Sequence, residues 1–174
     1  MDYIFTLKYQ LTADDQDMDA LVERLGGTGC DDALVGIGQP GRLALEFTRE
    51  ASCAEDAVKS ALANVREALP AAVLIEVTPD LVGLTDAAEI VGMTRQNMRK
   101  LMLANATSFP APVHEGSTVL WHLADILAWM QKRGIYALAP DLVEVSEIAM
   151  QVNVAKEQQR LAKKPTFEPG VLAW

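Results

Sequence analysis

The chain has 174 residues, half of them hydrophobic, and a formal net charge of −9 at pH 7. This length accommodates one ordinary domain or two small ones, and the apolar content favours a packed core over wholesale disorder. No window reaches the roughly 20 apolar residues of a bilayer span, and no basic-then-apolar leader opens the chain, so no membrane partner is expected.

Residues 3–9, YIFTLKY, place aromatic and apolar side chains at period two and predict a strand. Residues 14–25 open on an acidic turn and continue with Met18, Leu21, Val22 and Leu25, a helical apolar face that Gly26-Gly27 should end. ALVGI (33–37) and LALEFT (43–48) are short apolar runs joined by the turn GQPGR, which predicts a hairpin. Ser52 and Glu55 have the spacing of a capping box, opening a helix that runs to about Leu69 and stops at Pro70. AVLIEVT (72–78) is the next strand. The order β-α-β-β-α-β over residues 1–79 is the ferredoxin-like pattern, and the chain as a whole reads as α+β. Gly36, Gly38 and Gly41 spell a literal G-x-G-x-x-G, but a dinucleotide site needs a helix directly after the third glycine. Strand-like LALEF follows instead, and Pro40 has no amide to offer, so a tight hairpin without a cofactor is expected.

Thr78-Pro79-Asp80 is a short boundary, after which residues 81–133 form a second unit. The charge changes here. Residues 1–80 carry six Lys and Arg against fifteen Asp and Glu, whereas residues 81–133 carry five against four. Only the middle unit can approach phosphate, and it does so through a local cluster rather than a broad basic face. In LTDAAEIVGMTRQNMRKL (84–101), Thr85 is the expected N-cap of a first short helix whose Leu84, Ala88 and Val91 point inward. Gly92 permits a sharp turn, Met93 fills the corner, and Thr94 caps a second helix. Met98, Leu101 and Met102 form its inner stripe at helical spacing, which leaves Gln96, Arg99 and Lys100 opposite, with Arg95 and Asn97 on the exposed first turn. Arg can bridge guanine O6 and N7, and Asn or Gln can bridge adenine N6 and N7, so the pattern suits reading of a DNA major groove.

Phe109-Pro110 then turns the chain, and PVH and TVLW flank Glu115-Gly116-Ser117 as a short hairpin, a wing. A third helix carries Leu123, Ile126, Leu127 and Met130 as core, with Trp121 and Trp129 capping the packing. The layout, helix-turn-helix, wing, helix, resembles the winged helix-turn-helix regulators of the AlpA and excisionase type, related to the MerR superfamily. The likeness rests on Leu84-Thr85, Ala87 to Ile90, Val91 to Gln96, Phe109-Pro110, Val113 and the Trp121, Asp125, Trp129 series, about 50 residues in all. It implies that Thr94, Arg95, Gln96, Asn97, Arg99 and Lys100 enter the groove, with Arg99 where that superfamily commonly places an arginine. It also implies that the wing, with Ser117 and Thr118 at its tip, touches the DNA backbone. Glu115 departs from the basic wing tip that phosphate would favour. That residue and the low local charge argue for a homodimer whose two copies double the contacts.

Beyond a connector at 134–139, a helix over residues 140–164 is expected, with Leu138, Leu142, Val145, Ala149 and Val152 spaced four and three apart. Pro165 stops it, and residues 165–174 form a tail ending in Trp174. Cys30 and Cys53 make no CxxC pair and read as buried thiols of a reducing, cytoplasmic compartment. His114 and His122 have no ligand partner at a zinc spacing, so no metal is expected. Ser52 has no histidine placed near it, and Asp14-Asp15 and Asp31-Asp32 read as helix-start and loop charges, so nothing suggests an enzyme. The expected function is a sequence-specific double-stranded DNA-binding transcriptional regulator acting as a dimeric repressor. Two alternatives stand beside it: an antitoxin or adaptor whose acidic N-terminal domain or C-terminal tail binds a protein partner, and a metabolite-sensing regulator.

Overall fold

A computed structural model describes residues 1–164. The first four strands are β1 (Asp2–Gln10), β2 (Ala33–Gly36), β3 (Arg42–Glu50) and β4 (Val73–Thr78), interleaved with helices α1 (Met18–Gly27) and α2 (Ala54–Ala68). They form one sheet in the order β2-β3-β1-β4, every neighbouring pair antiparallel. Two split β-α-β units produce this arrangement. Alternation fixes which face is covered: Tyr3, Phe5, Leu7 and Tyr9 point inward and meet Leu43, Leu45 and Phe47 beneath α1 and α2. The glycine-rich segment is a hairpin turn, with Gly41 at φ +73° between β2 and β3.

The middle unit consists of β5 (Leu81–Val82), α3 (Leu84–Ile90), α4 (Arg95–Ala104), β6 (His114–Glu115), β7 (Val119–His122) and α5 (Leu123–Arg133). Its small antiparallel sheet runs β5-β7-β6, so the wing hairpin gains a third strand that the sequence pattern did not announce. Two residues are too few for a periodic signal. Met98, Trp121, Leu123, Ile126, Leu127 and Met130 are buried in this unit's own core.

Helix α6 (Pro140–Leu161) joins the two. Its Val145 and Ala149 are buried in the core of the four-stranded sheet, while Leu142 and Val143 pack against the middle unit. Strand β4 lies at a sheet edge, and Asn153 of α6 satisfies that edge as a peptide group would. Its amide oxygen accepts from Val77 N–H at 2.8 Å and its nitrogen donates to Val77 C=O at 2.8 Å. The same nitrogen reaches Asp80 Oδ2 at 2.7 Å, and Asp80 Oδ1 accepts from His122 Nδ1 at 2.6 Å. Asp80 is therefore buried without being orphaned, held from both sides across the boundary between the two units.

Several local expectations are corrected. Helix α1 begins at Met18 rather than near residue 14, because Asp17 caps it by accepting from Ala20 N–H, and it runs through Gly26 and Gly27. Ser52 and Glu55 form no capping box: Cys53 is the N-cap of α2, and the Ser52 hydroxyl instead donates to Asp56. Helix α3 starts one residue before Thr85, so Gly83 is its N-cap, and Asp86 accepts from the Gly83 N–H at 3.4 Å. Asp15 and Asp32 are more than helix-start and loop charges, since each is bound to an arginine. Of the two cysteines, Cys30 is buried and Cys53 only partly so. Burial pushes the Cys30 thiol up, which keeps it protonated at neutral pH. Among the described residues, no helix is long and apolar enough to cross a membrane. The tail at 165–174 lies outside the described residues.

Candidate nucleic-acid interface

The turn between α3 and α4 is built by Gly92, at φ +72°, a left-handed conformation that costs a residue with a Cβ. Met93 N–H donates back to the Ala88 carbonyl at 2.8 Å, and the Met93 side chain packs half-buried against the core of the middle unit. Thr94 then caps α4, its hydroxyl oxygen accepting from Asn97 N–H at 3.1 Å. This bond satisfies one of the amides that every helix start leaves over and orients the first turn outward.

On α4 the inner stripe is Met98, fully buried, with Leu101 and Met102 half-buried beside it. One side of the helix is thereby pinned to the core, and Arg95, Gln96, Asn97, Arg99 and Lys100 are all exposed. Among the described residues none of Arg95, Arg99 and Lys100 takes part in an ion pair, although the chain carries an excess of carboxylates. Three cations, an amide donor-acceptor pair on Gln96 and another on Asn97 are thus presented on one stiff turn and a half.

The C-terminal end of α4 is tied down by aromatic packing. Phe109 lies edge-on to Trp121 and Trp129, with ring centroids 6.2 and 5.1 Å away. Trp121 Nε1 donates to the Pro110 carbonyl at 3.0 Å, and Arg133 stacks on Trp129 while donating to Asn105 Oδ1 at 3.0 Å. These contacts link α4, the turn after it, β7 and α5, so α4 and the wing share one support. Ser117 and Thr118 are exposed at the wing tip, as are His114 and Glu115. His122 is the N-cap residue of α5, and its ring faces Asp80 rather than the wing surface.

The residues singled out in the sequence therefore fall into two exposed groups, one on α4 and one on the wing tip. What the sequence did not foretell is the Asp80, His122 and Asn153 cluster, whose members lie 42 and 73 residues apart. No local pattern links such positions. No cluster of histidine, cysteine and carboxylate able to hold a metal occurs among the described residues. Comparison of the chain with protein-family models, with curated proteins and with solved structures found no match.

Proposed function

We propose that the chain is a sequence-specific double-stranded DNA-binding regulator that acts as a homodimeric repressor, inserting the first turns of α4 into the major groove. The observation that carries this reading is the exposed set Arg95, Gln96, Asn97, Arg99 and Lys100 on a capped helix, with no carboxylate pairing its cations among the described residues. Exposed fork-shaped donors at a helix start are what direct readout of base edges uses. Ser117 and Thr118 supply hydroxyls for backbone phosphate, which positions a protein on the duplex without reading sequence. Glu115 beside them restrains non-specific attraction, so discrimination rests on base contacts. Repression follows by occupancy, the dimer covering a promoter. The overall charge of −9 supports a specific rather than a general binder.

Mobility shift against the DNA upstream of the chain's own gene is the direct test. A preferred site is expected, with Arg95→Ala and Arg99→Ala each losing about 1–3 kcal/mol of discrimination while the folded protein keeps its thermal midpoint. Wild-type affinity in the double variant would sink the reading.

A further inference from the structure

The described cations gather at a second place, far from α4 in the sequence and in no way part of it. Helices α2 and α6 run in the same direction, from the Tyr3 end of β1, where Tyr3 hydroxyl donates to Glu144, to its Tyr9 end. Between them lies an open groove of roughly 710 Å³, lined from α2, β4 and the C-terminal half of α6. Its rim carries Lys59 and Arg66 on one side and Lys156, Arg160 and Lys163 on the other. Five of the fifteen Lys and Arg residues of an acidic chain thus converge on one trough, with Glu157 the single carboxylate lining it among the described residues.

The floor is apolar. Leu62 contributes half-buried from α2, with the buried Leu69 at its C-cap, half-buried Val152 and exposed Ala155 contribute from α6, and Val73 and Leu74 close one end. Three rim cations have intramolecular partners: Lys59 pairs with Glu55, Arg160 with Glu157 at 2.7 Å, and Lys156 with Glu157 at 3.1 Å while also donating to the Ile75 carbonyl. Arg66 and Lys163 take part in no ion pair among the described residues. Both also lie near helix C-termini, where cations offset the negative end of the dipole. That role accounts for basic residues at the helix ends, yet it does not account for the apolar lining between them.

We propose that this groove docks an acidic amphipathic helix of a partner protein. Lys59 on α2 and Leu69 at its C-cap are ten residues apart, about 15 Å along the axis, so a ligand helix of about three turns spans the trough. Apolar anchors at i, i+3 or i+4, and i+7 meet the floor, and flanking Glu or Asp meet the rim, the familiar helix-in-groove geometry. The favourable direction is antiparallel to α2 and α6. The ligand's N-terminal turns, where acidic residues belong, then face Arg66, Arg160 and Lys163 and oppose two helix C-termini. This surface shares no residue with the 94–100 segment, so a partner can occupy it while α4 is engaged, and it answers the acidic sign of the partner rather than of DNA.

The test is fluorescence anisotropy with a labelled synthetic peptide of about fourteen residues that carries Leu at i, i+3, i+4 and i+7 and Glu on both flanks. A scrambled peptide of the same composition is the control, and duplex DNA and sedimentation of the full chain are run alongside. Saturable binding is expected that weakens with added salt and is at least about tenfold weaker for the scrambled peptide. The double reversal Arg66→Glu with Lys163→Glu, and the groove-filling Ala155→Trp at an exposed position, should each weaken it by at least about tenfold at unchanged thermal midpoint. Equal binding of the scrambled peptide, or no loss in either variant, overturns the proposal. So does loss of DNA affinity in the reversal variant, which would make phosphate the occupant. Conversion of a dimer to a monomer by that variant would make the occupant a second copy, and likewise overturns it.

Discussion

The two units of the chain treat the same residue type in opposite ways. In the four-stranded sheet Arg49 is buried, and all five of its N–H groups have acceptors: both Asp32 oxygens, the Gly29 carbonyl, the Ser60 hydroxyl and the Asn64 amide oxygen. The guanidinium also lies over the Phe47 ring, and the Asp32 carboxylate beside it raises its already high pKa. On α4, Arg95 and Arg99 are exposed and engage no carboxylate among the described residues. A guanidinium that enters the protein must be satisfied there, since an unpaired buried charge is expensive; one left on a rigid surface keeps its donors for a ligand. The difference separates an arginine that holds the fold from arginines that are available to bind.

The largest effect expected from this contrast falls on the sheet. Phe47 is fully buried and stacks on Phe5 with ring centroids 5.3 Å apart. Phe47→Ala should cost about 3–5 kcal/mol in urea unfolding, through lost transfer energy and the cavity left behind. Next comes Arg49→Met, which strips Asp32 and Asn64 of their partner and should cost about 1–3 kcal/mol of stability. If the contrast is right, that variant leaves the 94–100 surface unaltered, whereas Arg99→Ala changes DNA discrimination and leaves the urea midpoint in place. A drop in stability from Arg99→Ala as large as that from Arg49→Met would erase the distinction.

Thr94→Ala should cost about 1 kcal/mol, the ordinary worth of a helix N-cap, with the thermal midpoint as readout. The smallest effect is confined to acid. Arg24, donating at 2.9 Å, and the Thr12 hydroxyl hold the Asp15 carboxyl below the usual carboxylate range. Because the folded value is depressed, the stability Asp15 contributes is complete above the unfolded value, near ~3.9, and disappears as pH falls through the folded one. Urea midpoints measured down the acid limb should therefore fall less steeply in Asp15→Asn than in the parent chain. An unchanged slope would remove Asp15 from the acid response.

Much of this architecture was legible because burial in regular elements leaves a periodic trace. The alternation of Tyr3, Phe5, Leu7 and Tyr9, the spacing of Val145 and Ala149, and the turn at Gly92 all sit where the pattern placed them. Helix starts were less legible, since the backbone fixes the N-cap position even where no side chain there caps the helix. Ser52 lost to Cys53, and Thr85 to Gly83, for that reason. The two-residue strand β5 and the Asp80, His122 and Asn153 cluster were invisible, the first too short to repeat and the second assembled from distant segments.

By itself, the order of residues determined the longer elements, their inward faces and the outward set on α4, because those follow from local periodicity and backbone preference. Tertiary structure alone decided which charges are engaged: it buried Arg49 and Asp80 among acceptors and donors, and drew Lys59, Arg66, Lys156, Arg160 and Lys163 around one apolar floor. The reason is that the energy of a charge depends on its solvation and its neighbours in space, and chain order encodes neither when the neighbours lie on different elements.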